Sequence, residues 1–192
     1  MNVLIVGAGA TGTVFGAALM RSGANVTYYV REHHRARLQQ GIKLNHQGFF
    51  SLRSEDLAGF LVVTSAAEVA ANRYDQVWIT TPSDALRGDW LPALIAATGN
   101  ATLVVFQPDP EDMQYIRDQG AQQRPLVQGI IQFSAWQSPL PHEPQHLSGI
   151  TLLAPPGPCA VFDADSPHSA GIARSLAHGG LRATTRHHLA FH

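Results

Sequence analysis

Three glycines and one arginine carry the first chemical reading. In VLIVGAGATG, Gly7, Gly9 and Gly12 are spaced G-x-G-x-x-G directly after an apolar run. Each has its own physical reason. Gly7 permits a tight exit from a strand, Gly9 lets a pyrophosphate approach bare backbone, and Gly12 allows a helix to pack closely on that strand. The amides of Ala10 and Thr11, at the start of the following helix, would then face the phosphates, with the helix dipole favouring their charge. The stretch VTYYVR ends in Arg31, whose guanidinium can grip a phosphate with two parallel hydrogen bonds. The pattern points to a dinucleotide, and Arg31 points to NADP rather than NAD. Glu32 follows at once; if the strand ends one residue later, Glu32 takes the ribose and NAD is favoured. The blander alternatives are glycines that serve packing alone and an Arg31 that is solvated or paired with Glu32.

These residues need a strand, a turn, a helix and a second strand to place them. The run 3–6, VLIV, is a continuous apolar stretch bounded by glycine, as in a central strand covered on both faces. Over 10–22, Val14, Phe15, Ala18 and Leu19 recur at helical spacing, and Gly23 stops the helix. Residues 25–30 read as a strand, which completes a βαβ unit. The rhythm continues with helices at 35–40, 66–71, 84–97 and 112–119 and strands at 61–63, 76–80, 103–106 and 126–131. Residues 42–44 and 49–52 read as a small hairpin around Asn45-His46-Gln47-Gly48. After residue 133 prolines crowd, so strands at 151–154 and 160–162 should be short and antiparallel or at an edge. Ser166-Pro167 opens a helix that runs to about 178. The expected fold is α/β: a Rossmann-type, doubly wound, mostly parallel sheet with helices on both faces and extra short antiparallel strands toward the C-terminus.

Bulk properties narrow the function classes. The 192 residues suit one substantial domain, and a formal net charge of −1 offers no basic field for nucleic acid or an anionic membrane. No apolar run approaches the ~20 residues that span a bilayer. A single cysteine, Cys159, suits a reducing compartment, and the expected location is cytoplasmic. Lys43 is the only lysine, and its hairpin lies away from the expected nicotinamide. The adjacent pairs His33-His34 and His187-His188 would face apart on helices, and no metal site is expected. Arg35 and Arg37 lie near the expected 2′-phosphate position, although solvated faces are the blander reading. Trp78 and Trp90 are expected in the core.

The opening MNVLIVGAGATGTVFGAALMRSGANVTYYVR resembles that of ketopantoate reductases (2-dehydropantoate 2-reductases). REHHRARLQQGIKL, YDQVWITT and RPLVQGI resemble later segments of the same family, so the resemblance covers most of residues 1–135. It implies hydride transfer from NADPH to the keto carbon of ketopantoate. It also implies a Rossmann domain for the cofactor and a helical second domain that closes the substrate cleft. It adds Thr81 and Gln107, at the ends of the fourth and fifth core strands, to the cofactor-binding residues. Three positions depart from the family pattern. Ser83 stands where the family has a lysine, and Pro108 stands where it has an asparagine. In RHHLAFH, His188 stands where it has its proton-donating lysine. His188 is therefore the candidate acid, since an imidazolium donates protons near neutral pH; a solvated histidine is the bland alternative. The expected layout is a dinucleotide-binding domain over 1–180, with 181–192 starting a helix that in the family leads to the second domain, absent here. The expected function is that of an NADPH-dependent reductase of a small keto acid, weak or inactive alone. The alternative is a non-catalytic NADP(H)-binding module: a sensor, a remnant or a partner subunit.

Overall fold

Alternation within β1 (Asn2–Val6) explains the whole architecture. Val3 and Ile5 face one apolar cluster, and Leu4 and Val6 face another. The strand is therefore sandwiched between two layers, as a continuous apolar run requires. The computed structural model describes residues 1–48, 51–107, 109–141 and 148–187.

β1 leads through the glycine loop into α1 (Ala10–Arg21) and back into β2 (Asn25–Tyr29), which pairs with β1 in parallel. A 3-10 turn (Glu32–His34) and α2 (Arg35–Gln39) follow. A hairpin of β3 (Ile42–Gln47) and β4 (Leu52–Leu57) comes next. The chain then returns through β5 (Leu61–Val63), α3 (Ala66–Ala70) and β6 (Gln76–Ile79). α4 (Trp90–Ala97), β7 (Thr102–Val105), α5 (Pro110–Ile116) and β8 (Leu126–Ile131) continue the winding. The last elements are β9 (Ser134–Ser138), β10 (Gly149–Leu153), β11 (Ala160–Asp163), α6 (Ser169–His178) and β12 (Ala183–Arg186).

The main sheet has eight strands in the order β12-β11-β8-β7-β6-β1-β2-β5. Strands β5 to β8 of that order run parallel, and β11 turns antiparallel to β8 with β12 alongside it. The order reverses between β1 and β6, so the carboxyl ends of these two strands frame a crevice. This is the expected doubly wound fold, with α1 and α6 packed on one face and α3, α4 and α5 on the other.

Several local expectations shift. A second sheet, β4-β3-β10-β9, was not foreseen. In it β10 is an inner strand, antiparallel to β9 as expected and parallel to β3 on its other side. The hairpin strands are longer than expected because Asn45, turn-like in sequence, is fully buried within β3. Its side chain accepts a 2.7 Å hydrogen bond from the Ser54 hydroxyl across the hairpin. The helix expected over 84–97 breaks at Gly88, whose backbone is extended; a 3-10 turn, Ser83–Arg87, precedes it. Residues 183–186 are a strand at the sheet edge, not the start of a helix. The adjacent β-branched Thr184 and Thr185 suit that role. The remainder of the stretch that contains His188 lies outside the described residues.

Candidate functional site

The glycine loop sits at the crevice between β1 and β6. Gly7 leaves β1 with φ +95°, a conformation that side chains rarely tolerate. A Cβ on Gly12 would lie 2.1 Å from the Gly7 carbonyl oxygen, so α1 and β1 meet there backbone to backbone. Gly9 differs: a Cβ there would meet nothing within 4 Å. It opens on a cavity of about 1100 Å3, above the ~300–1,000 Å3 usual for small-molecule sites. The first α1 hydrogen bond runs from the Thr13 amide to the Gly9 carbonyl at 2.9 Å. The preceding amides of Ala10, Thr11 and Gly12 have no intrahelical acceptor. They supply donors and positive potential beside the cavity.

Arg31 follows β2 and lines the same cavity as Gly7 and Gly9. It makes no hydrogen bond or ion pair among the described residues. His34 and Arg37 line the cavity on the α2 side, and Lys43 joins them from β3. The second sheet therefore brings Lys43 to the cavity wall, which the hairpin reading did not foresee. Partial burial, then the charges of His33, Arg37 and Arg31, holds the His34 imidazole below its ordinary value. The same cations thus act on one another, and Asp56, opposite Lys43 in the hairpin, and Asp84 line the cavity with them. His33 and His34 do not face apart: their rings lie 4.0 Å apart on the 3-10 turn.

Glu32 behaves differently from Arg31. Its carboxylate accepts from Arg35 Nε at 3.0 and 3.2 Å and from the Thr64 hydroxyl, and it is not on the cavity wall. The Thr64 hydroxyl first, and Arg35 after it, lowers the Glu32 carboxyl from its usual range.

Thr81 lines the cavity just beyond β6, and its hydroxyl is buried without a hydrogen-bond partner in the described structure. An orphaned buried hydroxyl beside an open glycine fits a ligand that would complete it. Gln107 is otherwise engaged. It is 3% exposed, its amide nitrogen donates to the Thr81 carbonyl at 2.9 Å, and its amide oxygen accepts from the Phe106 amide. It holds the Thr81 loop in place and does not line the cavity. Thr80 does the same from the other side, donating to the Val6 carbonyl at 2.8 Å. Trp78 is buried as expected, whereas Trp90 reaches the cavity wall. Pro108 and His188 lie outside the described residues. His187 pairs with Asp165 at 2.8 Å, and Ser83 begins the 3-10 turn after Pro82. Among the described residues no group of three or more metal-binding side chains occurs, and no helix is long and apolar enough to cross a membrane.

A glycine loop and helix N-terminus at the switch point of a doubly wound sheet define a domain of the Rossmann class. The model of the ketopantoate reductase family, PanE/ApbA, matches residues 3–139, and the chain belongs to that family of oxidoreductases. Solved structures agree in fold. A PanE/ApbA family ketopantoate reductase from Ralstonia eutropha JMP134 is 19% identical with a TM-score of 0.71, covering 98% of this chain and 57% of its own. A 2-dehydropantoate 2-reductase from Geobacter metallireducens GS-15 is 17% identical with a TM-score of 0.74, covering 97% of this chain and 58% of its own. D-mandelate dehydrogenase, solved with NADH and anilino(oxo)acetate, is 16% identical with a TM-score of 0.72, covering 97% of this chain and 57% of its own. The chain thus spans less than three fifths of the length of these three structures. No curated protein matches it.

Proposed function

We propose that this chain is the NADP(H)-holding domain of a reductase acting on a small keto acid of the ketopantoate type. One observation carries the cofactor reading. Among the described residues Arg31 stands without a hydrogen-bond or ion-pair partner on the wall of the cavity onto which Gly9 opens, while Glu32 beside it is tied elsewhere. Gly7 to Gly12 and the first α1 amides would hold the pyrophosphate, Arg31 the 2′-phosphate, and the Thr81 hydroxyl would gain a partner. When bound, NADPH supplies a hydride to the keto carbon. The protein must position the acceptor and deliver a proton to its oxygen, and a placed acid contributes roughly 10²–10⁴-fold.

Ser83 in the place of the family's lysine, Pro108 in that of its asparagine, and a lone Lys43 on the α2 side favour slow turnover by this domain alone. The same observations favour the second reading, a module that binds NADP(H) without chemistry. Loss of NADPH absorbance with ketopantoate, on the wild type and on His188→Ala, separates the two. The expected result is tight NADPH binding with slow or no oxidation. Robust turnover that disappears in His188→Ala makes the chain an enzyme with His188 as its acid. Robust turnover that survives the substitution removes both the module and the histidine.

The cation cluster predicts a pH dependence. The cations and burial around His34 favour its neutral form in the absence of ligand. A bound 2′-phosphate raises the His34 pKa, so binding takes up a proton and affinity increases as pH falls from 8 toward about 6, where the phosphate itself begins to protonate. NADPH affinity is expected to rise over this range and NADH affinity to stay level. His34→Gln flattens the NADPH curve. A level curve in the wild type, read by calorimetry, removes His34 from the site.

A further inference from the structure

The carboxylate that could compete with Arg31 for the cofactor's ribose end is restrained by a second arginine. From the first turn of α2, Arg35 Nε donates to both oxygens of Glu32, at 3.0 and 3.2 Å. Its Nη2 donates to both oxygens of Glu68, at 2.7 and 2.9 Å, and its Nη1 donates to the Val62 carbonyl at 3.3 Å. Thr64 closes the network. Its hydroxyl donates to Glu32 and accepts from Arg35, and its amide donates to Glu68 Oε2 at 2.7 Å. One planar fork thus ties the turn after β2, the β5 backbone and α3 together, a geometry that lysine cannot reproduce. The Thr64 amide, and then Arg35, holds the Glu68 carboxyl below its usual range, as Glu32 is held below its own. Both acids stay charged, and neither is on the cavity wall, where Arg31 and Thr64 are.

We propose that Arg35 is a specificity-determining positioning residue: by holding Glu32 against Thr64 and off the cavity wall, it keeps that acid from competing with Arg31 and favours a 2′-phosphorylated dinucleotide. The inference rests on the NADP reading above. Without Arg35, Glu32, the residue that follows Arg31, loses the cation that holds it. Glu32 is then free to accept from a ribose hydroxyl, as an acid near the end of the second strand does in NAD-binding sites.

The test compares NADPH and NADH dissociation constants at low ionic strength, where exposed charges are least screened. Four proteins are needed: wild type, Glu32→Gln, Arg35→Ala, and the Arg35→Ala/Glu32→Gln double variant. The wild type is expected to prefer NADPH. Glu32→Gln should leave the preference within about twofold, because the acid is already off the cavity wall. Arg35→Ala should lower it by roughly two- to fivefold, the range open to an exposed ion-pair network, and the double variant should restore it. A merely structural arginine would weaken both cofactors together, and removing Glu32 would bring no relief. Arg35→Lys should shift the preference in the same direction with smaller amplitude, and it serves if the alanine variant does not fold. An unchanged preference in Arg35→Ala or Arg35→Lys overturns the proposal. So does a lowered preference that the double variant fails to restore, or a selective loss of NADH affinity in Glu32→Gln. A wild type that binds NADH as tightly as NADPH instead removes the cofactor reading itself, and the Arg35 role falls with it.

Discussion

Replacing Arg31 with alanine is expected to weaken NADPH by roughly ten- to a hundredfold and to leave NADH within about threefold. The magnitude follows from the chemistry of the contact. A hydrogen bond to a charged group is worth about 1.5–3 kcal/mol, and 1.4 kcal/mol is a factor of ten. Arg31 has no partner of its own among the described residues, so the substitution removes no internal ion pair, and the folded domain should be unaffected. It also leaves His34, Arg37 and Lys43 on the cavity wall, so some attraction for the phosphate persists. The residual attraction should be strongly salt-dependent, because exposed cations act at longer range and are screened. Titrations with both cofactors at two ionic strengths read the effect. A wild type with no preference, or an Arg31→Ala variant with an unchanged ratio, would remove Arg31 from the cofactor site.

How far the sequence discloses this site depends on the distance over which each contact forms. The β1–α1–β2 unit is legible because its signals are local: an apolar run, three spaced glycines and a helical stripe within about thirty residues. Arg31 is legible for the same reason, being read from the end of one strand. Whether Glu32 competes with it is not legible from that stretch. The answer lies in Thr64 and Glu68, more than thirty residues away, and in the 3-10 turn that sets the direction of Glu32. Lys43 and the second sheet are hidden by a larger gap, since β3 pairs with β10 across about a hundred residues. Asn45 misleads because turn composition and buried strand polarity look alike until the Ser54 partner is seen. Gln107 is a cofactor-binding residue only as the resemblance implies it. In the structure its buried side chain donates to the Thr81 carbonyl. That contact requires the neighbouring loop to be in place and cannot be read from one strand alone.

The glycine loop gives the sharpest separation of ligand from fold. Gly9→Val is expected to abolish measurable dinucleotide binding and leave the domain folded. The Gly9 backbone, at φ −76° and ψ −168°, is extended, and valine adopts it without strain. A Cβ there meets no protein atom within 4 Å, so no neighbour must move. The added side chain instead fills the space through which a pyrophosphate would reach the backbone and the α1 amides. Gly12→Ala is the contrasting control. Its Cβ would sit 2.1 Å from the Gly7 carbonyl oxygen and 2.8 Å from the Thr80 hydroxyl oxygen, so the backbone of β1 or α1 must shift. Overpacking of that kind costs about 1–3 kcal/mol, and a lower unfolding temperature should reveal it with or without cofactor. Calorimetric titration with NADPH, beside thermal unfolding of both variants, separates the two effects. A folded Gly9→Val protein that binds with undiminished affinity would reduce the loop to a packing device, and the cavity would then need another ligand.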